Sequence, residues 1–427
     1  MLATVEYVRF SFAEVLQNSH VLTSIMQNVV LEEPYEFVPP IESDFWCWLL
    51  RFRFKSFMRK TYLVHSSEIR GVERFRAALD AGQRVMVLPN HSRLSDPMAL
   101  GFLSGELKCN LFVMASWHLF KQDAYSRFMV RRMGGFSIYR EGNDRQALNT
   151  AIDILVEGRR PLVIFPEGAV SRHQDVLMEL MDGPAFIARQ AAKRLAKQEP
   201  PREVVMIPVA IRYSFDGDVE AAVLPDIEAF EHRFSWHPQR HLSIIDRLER
   251  IGQALLSLKE IEFLGRVREG DVHDRAERLE RELLSQLEEK WNLKDRGEGV
   301  VARVKNVRAA ILPDLVAKRV TPQEREARWR DLATCYFVQQ ISHYLRGYIA
   351  PGKNLPERII ETIERFEEDF TDELKYHGPV HCTMQVGEPI PVQPDRDRTA
   401  KRDPMMVEVA RQLQAMLDQL ASERTPG

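Results

Sequence analysis

The chain has 427 residues, and its 59 Lys and Arg stand against 62 Asp and Glu for a formal charge of −3. That balance carries no nucleic-acid signature. With 44% hydrophobic and 28% charged residues there is apolar surface for a sizeable core, and wholesale disorder is excluded.

At roughly 150 residues per domain the length accommodates two or three units. Cys47, Cys109, Cys335 and Cys382 are far apart and form no C-x-x-C pair, which argues against a disulfide framework or a thiolate metal site and predicts a reducing, cytoplasmic setting. A spanning helix needs ~18 or more consecutive apolar residues, and no such run occurs. The N-terminus MLATVEYVRFSFAE lacks the basic and apolar regions of a secretory signal, so export is not expected.

In chain order, Val5, Val8, Phe12, Val15 and Leu16 have helical spacing, and the Glu32-Glu33-Pro34 to Pro39-Pro40 break reads as a linker. Residues 45 to 62 mix Phe45, Trp46, Trp48, Phe52, Phe54 and Phe57 with Arg51, Arg53, Lys55, Arg59 and Lys60, and no acid. This composition suits a helix lying on a membrane surface; a core helix with snorkelling cations reads equally well. From about residue 72, strand-like runs at Val85–Leu88, Leu111–Met114, Leu162–Phe165 and Val204–Val209 alternate with helical stretches, which predicts an α/β fold with a mostly parallel sheet covered by helices.

Residues 216 to 376 turn charged and helically periodic, with stripes at Leu279, Leu283, Leu287 and Trp291 and at Ile359, Ile363, Phe366 and Phe370. Thr321-Pro322-Gln323-Glu324 has the form of a capping box with Pro at the first helical position. A strand-like segment returns at Val380 to Ile390, and an amphipathic helix follows through Val407, Leu413, Leu417 and Leu420. The predicted organisation is an N-terminal helical segment over 1–62, a catalytic core over 63–215, a helical insert over 216–376, and a returning strand with a C-terminal helix over 377–427.

Two loops carry chemistry. In Pro89-Asn90-His91-Ser92-Arg93-Leu94-Ser95-Asp96-Pro97 an imidazole and a carboxylate lie five positions apart after a strand. A carboxylate that accepts the Nδ1 proton fixes the tautomer and leaves Nε2 as a general base; alternatively Asp96 caps a helix beginning at Pro97. Phe165-Pro166-Glu167-Gly168 follows another strand and belongs at the same crevice, outside the carboxyl ends of the strands. Arg140, after the Gly134-Gly135 run, and Arg172 would clamp a phosphate, unless they are solvated surface arginines. His232, His237 and His241 cluster but lack the Glu of H-E-x-x-H and read as a surface loop. There is no G-x-S-x-G, P-loop or G-x-G-x-x-G.

Taken together, Asn90-His91 to Asp96, Gly134-Gly135 to Arg140, Phe165-Pro166-Glu167-Gly168 and Ile207-Pro208-Val209 resemble, in order and spacing, the glycerolipid O-acyltransferase family of lysophosphatidic acid and glycerol-3-phosphate acyltransferases. The resemblance covers roughly residues 72 to 215 and 378 to 392. It implies His91 as general base, Asp96 as its orienting partner, and Arg140, Glu167, Gly168 and Arg172 as substrate-binding residues, with no metal and no cofactor. It also implies transfer from acyl-CoA or acyl carrier protein to a glycerophosphate or lysophospholipid acceptor in phospholipid synthesis, at the inner face of a membrane with peripheral attachment. The chain departs from the family's F-P-E-G-T-R-S-R by Ala169 and Val170, which removes a guanidinium contact worth ~1.5–3 kcal/mol and predicts a differently built phosphate site. A non-catalytic lipid-binding or scaffold protein on the same fold is the rival reading, and the intact His91 and Asp96 weigh against it.

Overall fold

The computed structural model describes residues 31–424 apart from 296, 351–354, 372, 397–398 and 401; the helical lead-in expected over Val5 to Leu16 lies outside them. The described residues form eight strands, the central ones short apolar runs buried on both faces: β1 (Val64–Arg70), β2 (Arg84–Pro89), β3 (Phe112–Ser116), β4 (Gly135–Ile138), β5 (Leu162–Val163), β6 (Val204–Phe215), β7 (Val380–Val386) and β8 (Ile390–Pro391). Their order is β1-β7-β6-β2-β5-β3-β4, with β8 paired to β6. All pairings are parallel except those of β7 and β8 with β6. The fold is therefore α/β with a mostly parallel sheet, as the strand and helix alternation implies.

The helices are α1 (Asp44–Thr61), α2 (Val72–Asp80), α3 (Asp96–Leu107), α4 (Ala124–Arg132), α5 (Arg145–Glu157), α6 (Gly183–Leu195), α7 (Val219–Arg233), α8 (Ile244–Leu264), α9 (Val272–Lys290), α10 (Val300–Val316), α11 (Pro322–Ile341), α12 (Pro356–Thr371) and α13 (Pro404–Ser422). Side chains alternate across the sheet, so Val85 and Val87 of β2 enter one core while Met86 and Leu88 enter the other. The first core is closed by α2, α3, α7 and α12, the second by α5, α6 and α13. A third core, built on Leu279, Leu283, Val304, Ile311 and Val338, binds α9, α10 and α11 to one another.

The charged, periodic stretch thus divides in its packing. Val223, Ile227 and Phe230 of α7 and Ile360, Ile363 and Phe366 of α12 join the sheet's own core, whereas α9 to α11 keep a separate one. Thr321 and Glu324 form the expected capping box at the start of α11. On α13, Leu413, Leu417 and Leu420 are buried, but Val407 lies off the stripe and is exposed.

Two elements differ from the sequence reading for physical reasons. The strand β1 carries Ser66, Ser67 and Glu68 on an exposed edge, so it lacks the apolar alternation that announces a strand. The linker does not loop free: Val38 is buried, its N–H donates to Ser137 Oγ (2.8 Å) and its carbonyl accepts from Ser137 N–H (3.0 Å), so residues before α1 cover the β4 edge.

The strand β7, more than 300 residues after β1, is inserted between β1 and β6, with Met384 opposite both Ile69 and Ile211. Met384 is fully buried. Met384→Ala is expected to cost ~2–5 kcal/mol, read as a lower denaturant midpoint with an unchanged slope.

Candidate active site

Parallel strands deliver their following loops to one edge, and here β2, β4 and β5 deliver His91, Arg140 and Phe165-Pro166-Glu167. His91 Nδ1 lies 3.0 Å from Asp96 Oδ2, and Nε2 makes no hydrogen bond among the described residues. Asp96 is fully buried and accepts two further bonds, from Arg93 N–H to Oδ2 (2.8 Å) and from the Tyr213 hydroxyl to Oδ1 (2.7 Å). Burial first, and then the Asp96 charge, raise Tyr213 well above the ordinary phenol range, so it remains a donor. The helix-cap alternative for Asp96 fails: the residue preceding α3 is Ser95, without a side-chain cap bond, and the Asp96 carboxylate is spent on His91, Arg93 and Tyr213.

The His91 loop is fixed from several sides. Asn90 bonds Ile211 on β6 twice, through Nδ2–H to the carbonyl (3.0 Å) and from N–H to Oδ1 (2.7 Å). Ser171 N–H donates to the His91 carbonyl (2.7 Å), and the Phe165 ring lies against the imidazole with centroids 4.2 Å apart. Glu167 is buried and does not reach solvent: its two oxygens accept from His91 N–H (2.6 Å) and Met178 N–H (3.1 Å). Burial pushes its pKa up to about 8 against the pull of those two donors. Glu167 therefore positions the His91 backbone in this structure. Gly168 follows with φ of 72°, where a Cβ would also meet Met181 Cε at 2.7 Å.

The two arginines part company. Arg140 lines a groove of about 1850 Å³ together with His91, Phe165 and Gly168. Arg172 does not line it; its guanidinium is buried and pairs with Glu368 of α12 at 2.7 Å, so the paired clamp of Arg140 and Arg172 is not assembled. Neither is it the solvated surface residue of the alternative reading. The remaining groove wall is largely apolar, from α1, α3 and the β3–β4 region. Phe54 of α1 packs on Gly101 and edge-on to Phe102 of α3, with centroids 4.8 Å apart. Ala169 and Val170, the two departures from the family pattern, are buried.

Sequence reasoning reads the apolar stripe of α12 but misses Tyr213, Arg93 and the carboxylates Glu364 and Glu368 of that helix, because their partners lie far along the chain. Arg93 is buried and its guanidinium bonds both oxygens of Glu364 at 2.8 Å. Glu364 in turn accepts from His377 N–H (2.8 Å), and His377 Nε2 lies 2.7 Å from Asp226. Among the described residues no group of three or more His, Cys, Asp or Glu is placed to hold a metal.

Residues 66–212 match the protein-family model described as Acyltransferase, which supports a general acyltransferase function for that stretch and agrees with the motif resemblance to the glycerolipid acyltransferases. The family implies, in general terms, an acyl donor and a lipid acceptor. No curated protein and no solved structure matches the chain.

Removing the carboxylate of Glu364 strands a buried guanidinium, so Glu364→Gln is expected to destabilise by ~3–5 kcal/mol. The same cluster carries a pH dependence. Burial opposes the charge on His377, but hydrogen bonds to Asp226 and Glu364 outweigh it and hold its pKa at about 9, above the ordinary 6.5. Burial likewise opposes ionisation of Glu364, but the Arg93 charge and the His377 bond bring its pKa down to about 2, below the ordinary 4.5. The His377 contribution is full below pH ~6.5 and lost as pH rises through about 9, and that of Glu364 is full above ~4.5 and lost as pH falls towards 2. Unfolding free energy is therefore expected to decline between pH 6.5 and 9, and to decline less in His377→Gln; an identical slope in both proteins refutes the assignment.

Proposed function

We propose that this acyltransferase moves a fatty acyl group from acyl-CoA or acyl carrier protein to the hydroxyl of a glycerol-3-phosphate or lysophospholipid-type acceptor, with His91 as general base. The observation that carries the reading is His91, paired with the buried Asp96, lining a largely apolar groove beside Arg140. Asp96 holds the imidazole in the tautomer protonated at Nδ1, and Nε2 takes the hydroxyl proton as the oxygen attacks the thioester carbonyl. The tetrahedral oxyanion collapses, the C–S bond breaks, and the proton on Nε2 passes to the departing thiolate. Two substrates held in one groove need no covalent acyl-enzyme. The apolar wall suits the acyl chain, and Arg140 suits an acceptor phosphate.

His91→Ala is expected to lower thiol release from acyl-CoA by ~10²–10⁴ while the fold persists. Asp96→Asn should lower it as well, through loss of the fixed tautomer. Normal turnover in folded His91→Ala protein would falsify the base assignment. Arg140→Ala should raise the apparent KM for a phosphorylated acceptor far more than that for the donor. A panel of acceptors assayed by the same thiol release identifies the acceptor.

Attachment to a membrane surface is part of the same proposal. No helix of the described residues is long and apolar enough to cross a bilayer. Phe45 (61%), Trp48 (54%) and Phe52 (71%) of α1 are exposed, while Phe54 and Phe57 pack on the core. Trp48 and Phe52 line the groove as Phe54 and Phe57 do but stay largely open to solvent, and an exposed Trp48 leaves no core cavity when truncated. Exposed aromatics at the headgroup boundary and cations worth ~1 kcal/mol each near anionic lipid support reversible binding. The protein is expected to sediment with anionic vesicles at low salt, to be released in part by high salt, and to lose binding when Arg51, Arg53 and Lys55 are changed together to Glu. Vesicle binding unaffected by that reversal speaks against this role for α1.

A further inference from the structure

Helix α10 belongs to the part of the chain that follows the acyltransferase domain, and it presents two different faces. Val304, Val307, Ile311 and Leu315 pack into the core shared with α9 and α11. Val301, Lys305 and Arg308, spaced i, i+4, i+7, form a second stripe, and all three line the same groove as His91 and Arg140. A stripe serving only to close an apolar groove would be apolar itself. Here two of its three residues are cations.

The charge around them is one-sided. Of the seven Lys or Arg residues that line the groove, Arg51, Arg53, Arg59 and Lys60 belong to α1 and the other three are Arg140, Lys305 and Arg308, while Glu141 is the one carboxylate among its lining residues. Arg140 and Lys305 are half-buried, and neither makes a hydrogen bond or ion pair among the described residues. His118, near Arg140, adds no positive charge of its own: burial first and then the Arg140 charge bring its pKa down to about 3, so it stays neutral. Burial likewise lowers Arg140 from its ordinary value, with Glu141 resisting and Arg308 adding to the effect. Glu141 sits among them: burial pushes its carboxyl up, while the charges of Arg308, Arg140 and Lys305 pull it down. Three cations beside one carboxylate leave an excess of positive charge even with Glu141 ionised, which a further anion would offset.

We infer that Lys305 and Arg308 of α10 complete, with Arg140, a binding site for the phosphate monoester of a substrate, so that the helical segment after the acyltransferase domain contributes directly to substrate recognition. This rests on the acyl-transfer reading of the groove and extends it to residues outside the family's motifs. It also accounts for the buried, uncharged Ala169 and Val170: the cations that face the groove come from a different part of the chain. Both substrate classes carry such a group, a glycerophosphate acceptor on its glycerol and coenzyme A on its ribose.

The test is equilibrium binding by calorimetry on the full chain with no acyl group present, so that turnover plays no part. sn-Glycerol 3-phosphate, coenzyme A and dephospho-coenzyme A are the ligands. Lys305→Met keeps the aliphatic stem and removes the charge, and Lys305→Gln checks that packing is not responsible. Both are expected to weaken binding of a phosphate monoester by about tenfold or more, while Lys305→Arg retains it. A loss for glycerol 3-phosphate places the acceptor's phosphate at the site. A loss for coenzyme A with none for its dephospho form places the donor's. The base assignment is read by thiol release in His91→Ala and the anion site by these affinities in the Lys305 variants, so failure of one is distinguished from failure of the other. Wild-type affinity for all three ligands in both uncharged variants, with unaltered melting temperature, overturns the inference.

Discussion

A carboxylate with no access to solvent is tolerated only where donors replace its water, and Asp96 has three: the His91 ring, the Arg93 backbone and the Tyr213 hydroxyl. Each comes from a differently constrained piece of the fold. His91 and Arg93 belong to the loop after β2, and Tyr213 stands on β6, the strand paired with β2 over six residues. The geometry of the imidazole therefore depends on the register of two central strands. Asn90, which bonds both backbone groups of Ile211, locks that same register at the mouth of the loop.

The constraint extends outward through charge. Arg93 shares its residue with the backbone donor to Asp96, and its guanidinium is buried against Glu364. Arg172 is held by Glu368, one turn further along α12, and Arg365 Nη2 donates to the Arg172 carbonyl (3.0 Å). Asp175 bonds Arg212 of β6 and Arg358 of α12. Buried pairs of this kind contribute little net stability relative to apolar replacements, yet breaking one is costly. Their effect here is positional: a helix far along the chain holds two loops of the acyltransferase domain in place.

The sheet was legible in the sequence where its strands are apolar on both faces, as β2, β5 and β6 are, and illegible at β1, whose serines and glutamate face solvent. His91, Asp96 and Arg140 were legible because strand-to-loop boundaries put them at one edge of the sheet. Arg172 was misjudged for a physical reason: its neighbours in sequence say nothing of Glu368, which lies 196 residues away. Tyr213 and Arg93 escaped for the same reason. Glu167 was placed in the acceptor site by resemblance, whereas its oxygens are occupied by two backbone donors and its effect on the site passes through the His91 backbone.

The same long-range logic governs how the groove acquires its polarity. The loop that ends β5 turns its next side chains, Ala169 and Val170, into the protein interior and hands Arg172 to Glu368. A groove built from that loop alone would keep Arg140 as its cation beside the sheet edge. Helix α10 changes the balance because its period places Lys305 and Arg308 on one face and its apolar residues on the other. Packing of α10 against α9 and α11 thus fixes the orientation of the two cations. The charge facing the groove is a consequence of how the third core packs, which links the stability of a separate helical cluster to the electrostatics beside His91.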